Sequence, residues 1–307
     1  MPSDPPVRPD REDAKRPDTP FALILVAGVV FALIWSSAFS VAKILVASTP
    51  PFSVSALRFV IASGLAWAIA LLLGQRLPRG RQAWRAIVIL GLCQNTIYLG
   101  LFFTAMTRIS AGLAVIIASA LPLIVAFLAS VFAGERVGAV KAGGLVVGFA
   151  SVIWIMVTRS AGGFDTFGVV LAICGVLALS LATLTVKLVD FGTGLLMVVA
   201  CQMLVGGIGC MPLALLFEDV TAFDWSSSVV IAFVYQVTFP GIVATLIWFK
   251  LVKLVTAAGA SAFHFLNPIF GVVIAYLLLG EPVSMWDGVG VVLVAASILI
   301  VNLQRRA

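Results

Sequence analysis

Charge is what this sequence has least of. Asp, Glu, Lys and Arg make up only 10% of its 307 residues, against 62% hydrophobic, where an ordinary soluble domain carries about a quarter charged residues. No Asp or Glu falls in the middle of any apolar run. Proton-driven extrusion of organic cations commonly relies on a membrane carboxylate that binds proton and cargo in turn, so that device is missing. A membrane-embedded prenyl or headgroup transferase needs an Asp cluster for Mg²⁺ and diphosphate, or a His/carboxylate pair. The sequence offers neither. Its four cysteines, Cys93, Cys174, Cys201 and Cys210, all fall inside apolar runs without metal-type spacing, which argues against a disulfide framework and a zinc site. No metal and no cofactor are expected.

What the chain has instead is apolar length. Windows of about 20 residues, matched to a hydrocarbon core of about 30 Å, give ten spans: 21–44, 52–74, 84–107, 110–133, 138–158, 165–188, 194–217, 227–250, 255–279 and 283–303. The fold class expected is all-α integral membrane. Residues 1–20 hold six of the 14 prolines and nine charges, too polar and proline-rich to fold alone; they read as a disordered cytoplasmic tail. The long span from Phe21 reads as a retained helix rather than a cleaved signal.

The net charge of +6 encodes orientation rather than a nucleic-acid partner. Counting tail and C-terminus, 15 of 19 basic residues lie on one side, whereas Asp165, Glu218, Asp219, Asp224, Glu281 and Asp287 lie on the other. By the positive-inside rule the basic side is cytoplasmic and carries both termini.

The chain is also doubled. Pro122 to Ser151 recurs at Pro268 to Ser297, with Gly134/Gly280, Glu135/Glu281 and Gly144/Gly290 coinciding. Ser36, Ala38 and Lys43 likewise align with Ser180, Ala182 and Lys187. Five spans per half is an odd number, so the repeats, 21–160 and 161–307, enter the membrane from opposite sides. Inverted five-helix repeats around a midplane cavity are the plan of a carrier, whereas a channel needs a polar ring and usually subunit symmetry.

Particular residues carry a resemblance. The run Trp35-Ser36-Ser37-Ala38-Phe39 leading to Lys43, then Pro51 and Arg58, then Pro122 followed by Gly134-Glu135-Arg136 and Gly144, with its copy Gly280-Glu281-Pro282, resembles the drug/metabolite transporter superfamily and its ten-helix EamA-type branch. The resemblance implies a bundle whose central cavity is lined chiefly by the first, third, fourth, sixth, eighth and ninth spans and opens to each side in turn. It also points to bacterial inner-membrane exporters of amino acids and related metabolites as the nearest relatives.

Candidate cargo-contacting residues lie on shared helix faces: Ser36, Phe39 and Lys43; Ser180, Thr183 and Lys187; Asn95, Tyr98 and Phe102; and His264 with Asn267. Trp35, Tyr235, Trp248 and Phe263 supply apolar walls, while Gln236 adds a polar group next to Tyr235. Each has a duller account. Hydroxyls bond back to helix carbonyls, aromatics pack, and a long cation near a span end reaches the headgroups. Arg58, about 10 Å along its helix at 1.5 Å per residue, fits either account, and Arg108 fits the duller one. His264, the single histidine, is a candidate for proton coupling or an ordinary interhelical hydrogen-bonding group. Pro122, Pro268 and Pro240 interrupt spans, and the repeat-related Pro122 and Pro268 are the candidate hinges.

The function expected is export of small amino acids, aromatic ones included, and similar metabolites across a bacterial inner membrane. The alternatives are a nucleotide-sugar or phosphorylated-metabolite exchanger and, in another class, a membrane-embedded transferase. The partners expected are a small-molecule substrate and the lipid bilayer, with no nucleic acid. A monomer or weak homodimer is expected.

Overall fold

The computed structural model describes residues 20–132, 138–159 and 165–280, with 289, 292 and 293. The tail, most of span 283–303, and Glu135, Arg136 and Glu281 lie outside them. The described residues form helices and turns only: α1 (Phe21–Val46), α2 (Pro51–Leu72), α3 (Arg81–Met106), α4 (Ala111–Ala118), α5 (Leu121–Phe132), α6 (Ala139–Arg159), α7 (Thr166–Leu188), α8 (Leu195–Phe217), α9 (Ser227–Leu254) and α10 (Ala257–Leu279). Among them, α1, α2, α3, α7, α8, α9 and α10 are long and apolar enough to cross a membrane.

The exposed surface is apolar, unlike that of a water-soluble protein, and polar side chains share the apolar interior. Ser36, Asn95, Gln202, Gln236 and Asn267 are fully enclosed, while Leu72, Leu215, Leu216, Phe217 and Leu277 are among the most exposed side chains. In lipid the apolar face costs nothing to expose and the polar groups must find partners inside.

The predicted fourth span is two helices. A turn at Ser119 and Ala120 separates α4 from α5, and Pro122 is the second residue of α5. A proline lacks the N–H that the first helical turn leaves unpaired anyway, so it starts a helix more readily than it sits inside one. The repeat-related Pro268 is placed the same way, after a 3₁₀ turn at Ala262–Leu266 inside α10. α10 ends at Gly280, whose φ of +67° is the left-handed stop that glycine adopts without strain.

Two π-helical segments, Gly91–Leu99 in α3 and Val237–Ala244 in α9, begin 146 residues apart, the offset that carries Pro122 to Pro268. Smaller details repeat at the same offset. Ser110 accepts from the Leu113 amide at 3.2 Å, as Thr256 does from Gly259 at 3.0 Å. Lys43 and Lys187, 144 residues apart, hold carbonyls that are 146 apart: the Lys43 ammonium donates to the Ile109 carbonyl at 3.0 Å, and Lys187 to that of Val255 at 2.5 Å.

The α2/α8 pair is the most extensive helix contact, and its ends show how it runs. Glu218, just past α8, accepts from the amides of Phe52 and Ser53 at the start of α2, at 2.7 and 2.8 Å. Gln75, just past α2, accepts from the amide of Met197 near the start of α8 at 3.0 Å. Each helix therefore has its first turn capped from beyond the end of the other, and the two are antiparallel. Close approach of α3 to α8 needs glycine on both sides. A methyl at Gly206 would lie 2.2 Å from Asn95 Cβ, and one at Gly91 would lie 2.6 Å from the Gln202 carbonyl.

Candidate functional site

A small cavity lies where α1, α2, α3, α8 and α9 meet, with about 30 Å³ open to the centre of a water-sized sphere. That admits water and little else, since sites for drug-sized ligands span roughly 300–1,000 Å³. Aromatic rings form a connected part of its wall. Trp35 stacks on Tyr98 with ring centroids 6.3 Å apart, Tyr98 meets Phe102 at 4.8 Å, and Phe102 meets Phe39 edge-on at 5.8 Å.

Arg58 brings a charge into this wall. It occupies the eighth position of α2 and is 3% exposed. Its guanidinium lies 4.4 Å from the Phe59 ring centroid and 4.6 Å from that of Phe103. Nη1 donates to Gln236 Oε1 at 2.6 Å, and Gln236 Nε2 in turn donates to the Ala38 carbonyl at 2.6 Å. α2, α9 and α1 are thus tied through one amide. Nε is buried without a hydrogen bond, and the Tyr98 hydroxyl is buried without one of normal geometry. Among the described residues no carboxylate pairs with Arg58; the one ion pair there, Arg108 with Asp165 at 3.1 Å, lies on the surface between the ends of α3 and α7.

A second buried group adjoins the first through Trp35. His264 contacts Trp248, Phe31 and Trp35 at 4.8, 5.2 and 6.0 Å between centroids, and Phe31 stacks on Trp248 at 5.1 Å. Ser36 donates to Asn267 Oδ1 at 3.2 Å, linking α1 to α10. Neither ring nitrogen of His264 has a hydrogen bond of normal geometry, and Asn267 Nδ2 has none. Phe263 is buried against Gly28 of α1, where a methyl would lie 2.1 Å from the ring.

Of the residues singled out in the sequence, Trp35, Phe39, Tyr98 and Phe102 line the cavity, and Ser36, Trp248, His264 and Asn267 form the adjoining group. Arg58, Gln236 and Pro240 line the cavity as well, whereas the remaining polar candidates and Tyr235 are placed elsewhere. Asn95 donates to the backbone and side chain of Gln202 on α8 at 3.1 and 2.7 Å. Ser180 and Thr183 bond back to the carbonyls of Val176 and Leu179, and Tyr235 meets Ser37 at 2.5 Å. Lys43 and Lys187 hold backbone carbonyls at the ends of neighbouring helices, Met106 and Ile109 for the first and Val255 for the second. The cavity is lined by the first, second, third, seventh and eighth spans; the fourth, sixth and ninth contribute no residue. The largest difference is Arg58, whose axial position alone does not tell whether it points to lipid, headgroup or cavity. Its partner Gln236 is visible in the sequence as one of few amides inside an apolar run, but its approach to Arg58 is not.

The EamA-like transporter family matches the chain twice, over residues 22–157 and 166–303. The chain belongs to this family. Similar proteins include a chloroplastic WAT1-related protein of Arabidopsis thaliana, 30% identical over 280 residues that make up 87% of this chain. The chain spans 66% of that protein, just under two thirds of its length. An uncharacterized transporter of Bacillus subtilis, YvbV, is 25% identical over 95% of this chain and 94% of its own. The uncharacterized inner membrane transporter YedA of Escherichia coli is 27% identical over 92% of each. One crystal structure superposes with a TM-score of 0.77 at 20% identity, covering 93% of this chain and 98% of that one, and so shares the fold. This EamA-family chain is a multi-pass membrane protein and a transporter of the drug/metabolite transporter superfamily.

Proposed function

We propose that the protein exports small amino acids, aromatic ones included, and related metabolites across a bacterial inner membrane by alternating access. The carrier is a ten-span bundle of inverted repeats, residues 21–160 and 161–307, with both termini cytoplasmic. The observation that carries this reading is a central cavity bounded by helices of both halves, with a cation and aromatic rings in its wall and no carboxylate among the residues lining it. Such a wall suits an anion or zwitterion with an apolar remainder. The antiparallel α2/α8 pair and the paired π segments support the inverted arrangement. The helix starts at Pro122 and Pro268 are then the repeat-related points about which α5 and α10 swing.

The cavity is too small for any of these cargoes, so on this reading transport requires helices to part to either side in turn. A phosphorylated metabolite is a poorer match, because two or more phosphate charges would meet the single arginine in the wall. Purified protein in liposomes should accelerate counterflow of labelled alanine and phenylalanine. A broad amino-acid panel without flux, alongside exchange of phosphorylated metabolites, would transfer the assignment to the second class.

A further inference from the structure

Arg58 has more hydrogen-bonding capacity than its neighbours use. A guanidinium offers five N–H donors, and only Nη1 is engaged, by the neutral amide of Gln236. The edge formed by Nε and Nη2 has no partner among the described residues, and Nε is buried. Leaving such a donor unmade is costly, on top of the cost of desolvating the charge. Two cation–π contacts offset part of that cost. They hold the guanidinium without neutralising it.

We propose that Arg58 receives the carboxylate of the cargo, that Gln236 Oε1 stands in for that group while the carrier is empty, and that molecules without a free carboxylate are therefore refused. This rests on the transport reading above and names the chemical class of its cargo. Arginine is suited to the role because its planar fork matches a carboxylate through two parallel N–H···O bonds, and the edge without a partner is one such fork. A carboxylate brings a full charge where the amide brings a dipole, so it wins the exchange, because hydrogen bonds between charged groups are stronger than those to neutral ones. The exchange also reaches beyond the site. Gln236 immediately precedes the α9 π segment and holds the Ala38 carbonyl of α1, so displacing it loosens the one tie that joins α1, α2 and α9. Trp35 and Phe102 then flank the remainder of the cargo.

The test uses the full chain in detergent, with melting temperature and tryptophan fluorescence read against alanine, phenylalanine, 3-phenylpropionate, phenylalaninamide and phenethylamine, followed by flux in liposomes. The acids should bind and the amide and amine should not. Arg58→Lys should weaken acid binding about 10-fold or more. Two changes at Gln236 should act in opposite directions. Gln236→Glu supplies a permanent carboxylate to Arg58 and should abolish acid binding without lowering the melting temperature, whereas Gln236→Leu removes the stand-in and should keep or raise acid affinity. A purely structural Gln236 would weaken binding in both variants. Equal binding of amide or amine, unchanged acid binding by Gln236→Glu, or no binding of any acid overturns the assignment. The expected binding pattern without flux would instead sink the transport reading and leave the site standing. Flux of amines as fast as acids would do the reverse.

Discussion

Asp165 shows how much one exposed carboxylate does at a helix start. It accepts from the Gly168 amide at 2.8 Å, capping α7, and from Arg108 at 3.1 Å. The Gly168 amide, and after it Arg108, hold the carboxyl below the usual Asp range. A group with a lowered folded pKa contributes stability that is present above its unfolded value of about 3.9 and is lost as pH falls through the folded value. Thermal melts in detergent should therefore show a deficit for Asp165→Asn at pH 7 that shrinks as pH falls below the usual Asp range. Arg108→Ala should cost less at pH 7, because it leaves the cap in place and removes an ion pair whose side chains are 48% and 35% accessible, together with an exposed contact of Arg108 over the Phe167 ring. Single residues were unevenly legible. Asp165 is visible in the sequence as one of the acids on the outer side but not as a cap, whereas Trp35, Tyr98 and Phe102 are visible as an aromatic set. Lys43 and Lys187 are visible as a repeat-related pair, but their carbonyl partners lie 66 and 68 residues away, a distance that helix periodicity does not bridge.

Among the elements, α9 departs furthest from its sequence pattern. Its apolar run predicts a span that Pro240 interrupts, yet the chain stays helical there and widens to π geometry over Val237–Ala244, with Pro240 inside it. Proline withholds an N–H, and the Thr245 hydroxyl takes up the Pro240 carbonyl at 3.1 Å. Space is tight there: a methyl at Gly241 would lie 2.8 Å from the Gln236 carbonyl. Gly241→Ala should therefore distort the segment that positions Gln236 and slow transport several-fold, while Gly143→Ala, with nothing within 4 Å, should leave the rate unchanged. Equal rates for both in liposomes would show that the π segment has no part in the cycle. α3 carries its own π segment without a proline, so no residue in the run Gly91–Leu99 marks it. One extra residue in a helical turn leaves apolar composition unchanged, and the span lengths were legible for that reason while the bulges and the α4/α5 break were not.

At the scale of the molecule, the halves hold each other by reciprocal caps at opposite ends of α2 and α8. Removing a cap costs about 1 kcal/mol. Glu218 makes three bonds, including one from the Ser53 hydroxyl at 2.8 Å, whereas Gln75 Oε1 accepts one. Glu218→Ala should therefore lower the melting temperature more than Gln75→Ala, and the two losses should add, because the sites lie at opposite ends of the pair. Strong non-additivity would mean that the helices separate as one unit. The doubling was legible because Pro122 and Pro268 share their surroundings in the sequence; that α2 and α8 lie side by side was not, since five spans can be arranged around a cavity in several orders. The same caps impose an order on biosynthesis. α2 leaves the ribosome 166 residues ahead of the carboxylate that closes its first turn, so that turn stays without this cap until its counterpart has been made.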